Sequence, residues 1–86
     1  MAYFAAILHM AKPELNAKHR QSHLDYLKTL EEQGNVFAKG PFVDGNGGMV
    51  IYEANHFDEA QLLANEDPYV KLGVRRLELH EWNMTR

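Results

Sequence analysis

No cysteine occurs among the 86 residues, which excludes disulfides, thiol nucleophiles and thiolate metal sites. A basic excess is also missing. Nine Lys and Arg stand against twelve Asp and Glu, for a net charge of −3 with His neutral, and the cations are scattered rather than gathered into a stripe, so no nucleic-acid partner is expected. Long apolar runs are lacking too. The longest, MAYFAAIL at the start of the chain, is far shorter than the roughly 20 residues that span a bilayer, and neither a basic flank nor a small-residue cleavage site surrounds it. The expected location is cytoplasmic, without a membrane partner. A chain this short makes one domain, residues 1–86, and buries only about 60–65% of its unfolded surface, so its core needs a supplement. With disulfides excluded, the expected supplement is a second copy of the chain in a symmetric homodimer.

What is present is an alternation of strand-like and helix-like segments without repeats, linkers or low-complexity stretches. Residues 2–10, AYFAAILHM, are apolar at nearly every position, as in a strand covered on both faces. Pro13 and its polar neighbours break that run. Pro13 or Asn16 then opens a helix that should stop at Gly34, a residue that tolerates the left-handed conformation ending helices. Residues 35–41 predict a short strand, 42–48 (FVDGNGG) a turn and 49–54 a second strand, together a hairpin. A second helix follows, capped by Asn55 or His56, with Asp58 and Glu59 in its first turn and Phe57, Ala60, Leu63 and Ala64 on one face. It ends before Pro68, because proline disfavours helical geometry in the residue before it. Residues 74–84 alternate, Leu77 and Leu79 opposite Glu78 and His80, as a strand with two unlike faces does. The order β-α-β-β-α-β is that of an α+β, ferredoxin-like fold, one antiparallel sheet carrying both helices on one face. The bare face is left for the second subunit.

Within RQSHLDYLKTLEEQG (residues 20–34) an imidazole occupies the apolar stripe. On a helix turning about 100° per residue, Leu27 lies roughly 40° from His23 and Leu30 roughly 20° to the other side. Such a histidine is either a core residue bonded to a buried acceptor or a pocket residue positioned for proton transfer. His19, four residues earlier, has a spacing that two metal ligands can use, but without a third ligand or an intervening glutamate no metal site is assigned. DGNGG resembles a phosphate cradle yet leads from strand to strand, so no helix N-terminus is offered to an anion, and it reads as a hairpin turn. Ser22, Thr29 and Thr85 lack the context of a catalytic hydroxyl. Arg20, one turn before His23, either binds an anionic substrate group or pairs with a nearby carboxylate. Asp67, before Pro68, is on its own a turn or cap residue.

Taken together, Arg20, His23, Leu24, Leu27, Leu30, Gly34, Gly40-Pro41, Asp44 and DPYVKLG (residues 67–73) resemble the YciI-like family of small proteins, the YCII-related domains, over nearly the whole chain. The resemblance implies the dimeric α+β barrel form of the ferredoxin-like fold and a paired histidine and aspartate, which map onto His23 and Asp67. Assigned activities in the family include dechlorination of a hydroxylated aromatic ring. Two departures stand out: DGNGG replaces the longer serine-bearing loop of many members, and His56 stands where a serine often caps the second helix.

A carboxylate bonded to one imidazole nitrogen fixes the tautomer and supports proton transfer at the other nitrogen. The expectation is therefore a cofactor-independent acid/base catalyst for a small, phenolic or cyclic molecule, with His23 and Asp67 catalytic and Arg20 and Tyr69 substrate-binding. The rival is a non-catalytic dimer in which the same pair recognises a polar group of a small ligand. Turnover separates the two.

Overall fold

The computed structural model describes residues 1–85. Along them run β1 (Ala2–Met10), α1 (Asn16–Glu32), β2 (Val36–Pro41), β3 (Gly47–Ala54), α2 (Phe57–Asn65), the one-turn α3 (Pro68–Lys71) and β4 (Arg75–Trp82), with a 3-10 turn at Pro13–Leu15 leading into α1. The sheet is antiparallel throughout, in the order β2-β3-β1-β4. This is the ferredoxin-like α+β arrangement expected from the order of elements.

β1 is central because both its faces are apolar. Phe4, Ala6 and Leu8 point to the helices and are buried, while Tyr3, Ala5 and Ile7 fill the opposite face. Val50, Tyr52 and Ala54 of β3 continue the helix-side layer, with Phe4 opposite Tyr52 and Leu8 opposite Gly48. Leu27 and Leu30 of α1 close over it, and Ala60 and Ala64 let α2 lie close to the sheet. α1 ends where glycine is required: Gly34 has φ +84°, and the Asn35 N–H returns to the Leu30 carbonyl.

The hairpin turn departs from a bare connection. The Asp44 carboxylate accepts the Asn46 N–H at 2.9 Å, and β3 begins at Gly47, two residues earlier than expected. Gly47 has φ +117°, and a Cβ there would lie 2.1 Å from the Leu8 carbonyl oxygen; one on Gly48 would lie 2.7 Å from that of Gly40. The paired glycines thus let β1, β2 and β3 draw together at one end of the sheet.

The second helix also differs from expectation. α2 stops at Asn65, as foreseen, but Pro68 opens α3, since proline's fixed φ suits the first turn of a helix. His56 holds the N-cap position of α2 without a side-chain cap bond. The orphan Asn55 N–H is met instead by Glu59, at 3.2 Å.

Candidate functional site

Asp67 is the fully buried carboxylate of the core. It caps α3, accepting the Tyr69 N–H on Oδ1 at 2.9 Å. Across the gap to α1, His23 Nδ1 lies 2.8 Å from Oδ1 and 2.9 Å from Oδ2. An ionised carboxylate only accepts, so Nδ1 carries the proton and Nε2 holds the free lone pair of the neutral ring. No described residue bonds to Nε2, and the ring lines a pocket. Asp67 is therefore both the cap that its Asp-Pro setting suggests and the partner of the imidazole.

Tyr69 joins this pair to a second one. Its ring stacks on His23 at 4.1 Å between centroids and 18° between planes, its hydroxyl donates to the Asn16 carbonyl at 3.2 Å, and Arg75 Cζ lies 4.4 Å from its centroid. One phenol ring thus touches both an imidazole and a guanidinium. Arg75 is itself held by Asn16 Oδ1, through Nε at 3.2 Å and Nη2 at 2.7 Å. Along the chain these residues come from α1, α3 and β4.

The cavity they border has a volume of about 290 Å³ and lies between α1 and the glycine-gathered end of the sheet. Leu8, Leu24, Leu27 and Val50 give it an apolar floor; Arg20, Lys39 and Arg75 supply cations, and Gly40, Pro41, Gly48 and Met49 complete the rim. Such a space suits a single-ring molecule. Close to Asp67, burial first and then the Asp67 and Glu66 charges push the Tyr26 phenol up to about 12. Burial and the same Asp67 carboxylate raise Tyr52 as well. Both phenols stay protonated near neutrality, Tyr26 donating to the Leu63 carbonyl at 2.6 Å.

His23, Asp67, Tyr69 and Arg20 are thus brought together, with Arg20 on the exposed side of the pocket and bonded to no carboxylate among the described residues. No group of three His, Asp or Glu side chains that could hold a metal ion occurs among the described residues, His19 and His23 included. Nor is any described helix long and apolar enough to cross a membrane. Arg75, Asn16 and Lys39 were not foreseen from the sequence. Arg75 left one signal, because it falls in the same alternation phase as Leu77 and Leu79, where a charge is out of place.

A ferredoxin-like sheet with a histidine–aspartate pair at the wall of a small cationic pocket, the histidine facing it, defines the class. Residues 1–83 match the YCII-related domain, and the chain belongs to that family. It is 30% identical over 84 residues to the uncharacterized protein YjpA of Bacillus subtilis (strain 168), spanning 98% of this chain and 99% of that one. Protein YciI of Escherichia coli O6:H1 is 37% identical over 65 residues, 64% of this chain and 66% of its own. Among solved structures, 5-chloro-2-hydroxyhydroquinone dehydrochlorinase from Burkholderia phenoliruptrix AC1100, in complex with 2,5-dihydroxybenzoquinone, superimposes with a TM-score of 0.81 over 96% of this chain and 95% of that one, at 21% identity. At that identity the likeness is one of fold.

Proposed function

We propose that this protein is a small, cofactor-independent acid/base catalyst acting on a single-ring, phenolic or cyclic molecule. The observation that carries the reading is the 2.8 Å contact of His23 Nδ1 with a fully buried Asp67, which leaves Nε2 for the ligand. His23 takes a proton from a ring hydroxyl or carbon acid and returns it to the product. Asp67 holds the tautomer and balances the imidazolium formed midway. Tyr69 orients the imidazole by stacking, and Arg20 meets the substrate at the mouth. The fold neighbour's bound dihydroxybenzoquinone is of a size that a cavity of about 290 Å³ accepts.

The test is a thermal-shift screen of hydroxylated aromatics and quinones, followed by mass spectrometry of each stabilising compound after incubation. A compound altered by the parent protein and recovered intact from His23→Ala supports catalysis. Recovery of every bound compound intact from the parent overturns it in favour of the binding-only alternative.

The same reading makes the protein a homodimer through the apolar part of the sheet face opposite the helices, with the polar corner formed by His9, Glu78 and His80 left outside the contact. Tyr3, Ile7 and Met49 lie there half-buried, and Phe37 and Trp82 remain 43% and 44% exposed, an apolar surface that a second copy covers. Ile7→Glu is expected to convert dimer to monomer in sedimentation velocity with an unchanged circular dichroism spectrum. A parent protein that sediments as a monomer at micromolar concentration overturns the assembly.

A further inference from the structure

The chain as a whole is acidic, at −3, yet its pocket is not. Arg20, Lys39 and Arg75 line it, with no carboxylate in the lining. Asp67 is screened from it behind His23, its oxygens committed to Nδ1 and to the Tyr69 N–H. Lys39 has a partial counter-charge in Glu31, 3.1 Å away at the surface. Arg20 and Arg75 have none among the described residues. For Arg20, exposed to water, that is unremarkable. Arg75 is different, being only 9% exposed, and a buried charge is costly unless it is paired.

The partners Arg75 does have are neutral: Asn16 Oδ1, the face of Tyr69 and, at 3.5 Å, the Leu8 carbonyl. A guanidinium has five N–H donors, and these bonds engage three of them. Two are left on a side chain that Asn16 and Tyr69 hold in place beside the cavity. A fixed planar cation with spare donors and no counter-ion is built to receive an anionic oxygen.

We infer that the ligand of this pocket is a ring bearing an anionic oxygen, a carboxylate or an ionised ring hydroxyl, and that Arg75 is the residue that selects it. This rests on the proposed use of the cavity as the ligand site and adds the ligand's charge class. Arg75 binds the anionic oxygen, Arg20 approaches from the mouth, and the ring lies along the apolar floor beside His23. The contacts of both His23 and Arg75 with the Tyr69 ring fix the spacing of the two recognition groups, so charge at one end of the ligand sets the position of the other end at Nε2.

Two matched pairs of probes test this by calorimetric titration at neutral pH. In the first, 4-hydroxybenzoate is set against 4-hydroxybenzamide, which keeps shape and polarity but loses the charge. In the second, 2,5-dihydroxybenzoquinone, whose hydroxyls are acidic, is set against its neutral dimethyl ether, 2,5-dimethoxybenzoquinone, which keeps the quinone ring but cannot ionise. The charged member of at least one pair is expected to bind about 10–100-fold more tightly. Preference in the first pair identifies a carboxylate, and preference confined to the second an ionised hydroxyl. Equal affinities within both pairs, or no binding of either charged probe, overturn the inference. Arg75→Gln is expected to abolish the preference, Arg75→Lys to keep part of it, and Arg20→Gln to reduce it less. A folded Arg75→Gln protein that keeps the full preference overturns the role of Arg75, and if that variant does not fold, Arg75→Lys decides in its place: a reduced preference supports the role of Arg75 and full retention overturns it. Failure here is separable from failure of catalysis. Binding needs no turnover, so a protein that prefers anions and alters none keeps this inference and loses the catalytic one, whereas turnover of a ring without regard to its charge does the reverse.

Discussion

His23 and His9 each meet a carboxylate, on opposite faces of one sheet, and the two contacts differ in everything but chemistry. On the open face, His9 Nε2 and His80 Nε2 each lie 2.6 Å from an oxygen of Glu78, closer than His23 to Asp67. Yet the Glu78 side chain is 41% exposed and that of Asp67 not at all. Water competes for every atom of the first cluster, and exposed pairs of that kind contribute little to stability. Asp67 has no water to return to. It is fixed by a helix cap and an imidazole, and that imidazole is fixed in turn by a stacked phenol. Distance alone does not distinguish a working pair from a surface contact. Desolvation and independent support of each partner do.

Cutting one histidine from each face should break the resemblance most sharply. His23→Ala is expected to lower kcat/KM by about 10²–10⁴-fold, the range of a positioned acid/base group, on whichever ring compound the parent converts. His9→Ala should leave the rate per folded molecule unchanged. Steady-state kinetics of the two variants side by side decides it, and equal losses on both faces would erase the distinction drawn above.

Removal of the carboxylates is next in size. Asp67→Ala deletes the cap of α3 and strands the buried Nδ1–H of His23. A lost cap costs about 1 kcal/mol and a stranded donor about 1–3 kcal/mol, so urea denaturation should show a loss of about 2–4 kcal/mol. Asp67→Asn keeps an acceptor for both donors and should lose less stability, while its activity falls, because an amide cannot balance an imidazolium. Glu78→Ala, with water ready to replace it, should barely move the midpoint. An Asp67→Ala protein as stable as its parent would show that the buried pair is not what secures α3 against α1.

The same contrast explains how far the sequence could be read. β1 was legible because Phe4, Ala6 and Leu8 alternate with Tyr3, Ala5 and Ile7, an apolar set on each face. α1 was bounded by Gly34, and His23 declared itself by replacing an apolar residue in a counted stripe. Its partner lies 44 residues away and entered only through the family pattern, since an aspartate before proline caps a turn whether or not it reaches across the core. α3 was missed because Pro68 both forbids continuation of α2 and favours a new first turn, and only tertiary context selects the second effect. Arg75 was missed because its neighbour Arg76, in the polar phase, makes the pair look like ordinary surface charge. The open-face cluster had half its signal in view, Glu78 and His80 sharing a phase, but His9 joins it from 69 residues away.

Acid titration offers the smallest effect and the finest discrimination. Hydrogen bonds from His80 first and then His9 hold the Glu78 carboxyl below its ordinary value of 4.5, against a weaker opposing effect of desolvation. A carboxyl lowered in the folded state favours folding at pH values above that ordinary one, where both states are ionised. As pH falls below 4.5 the unfolded chain takes up the proton first, so stability declines with falling pH until the folded group is also protonated. Comparing the parent with Glu78→Gln, the gap between their urea midpoints should be present at pH 6, narrow below 4.5 and close once the folded carboxyl titrates. Because the cluster is wet, about 1 M salt, with a screening length of about 3 Å, should shrink the gap at pH 6 as well. A gap that widens on acidification, or that ignores salt, would mean that Glu78 is held by something other than its two histidines. The open face would then contain a shielded site of its own, which is the property that so far sets Asp67 apart.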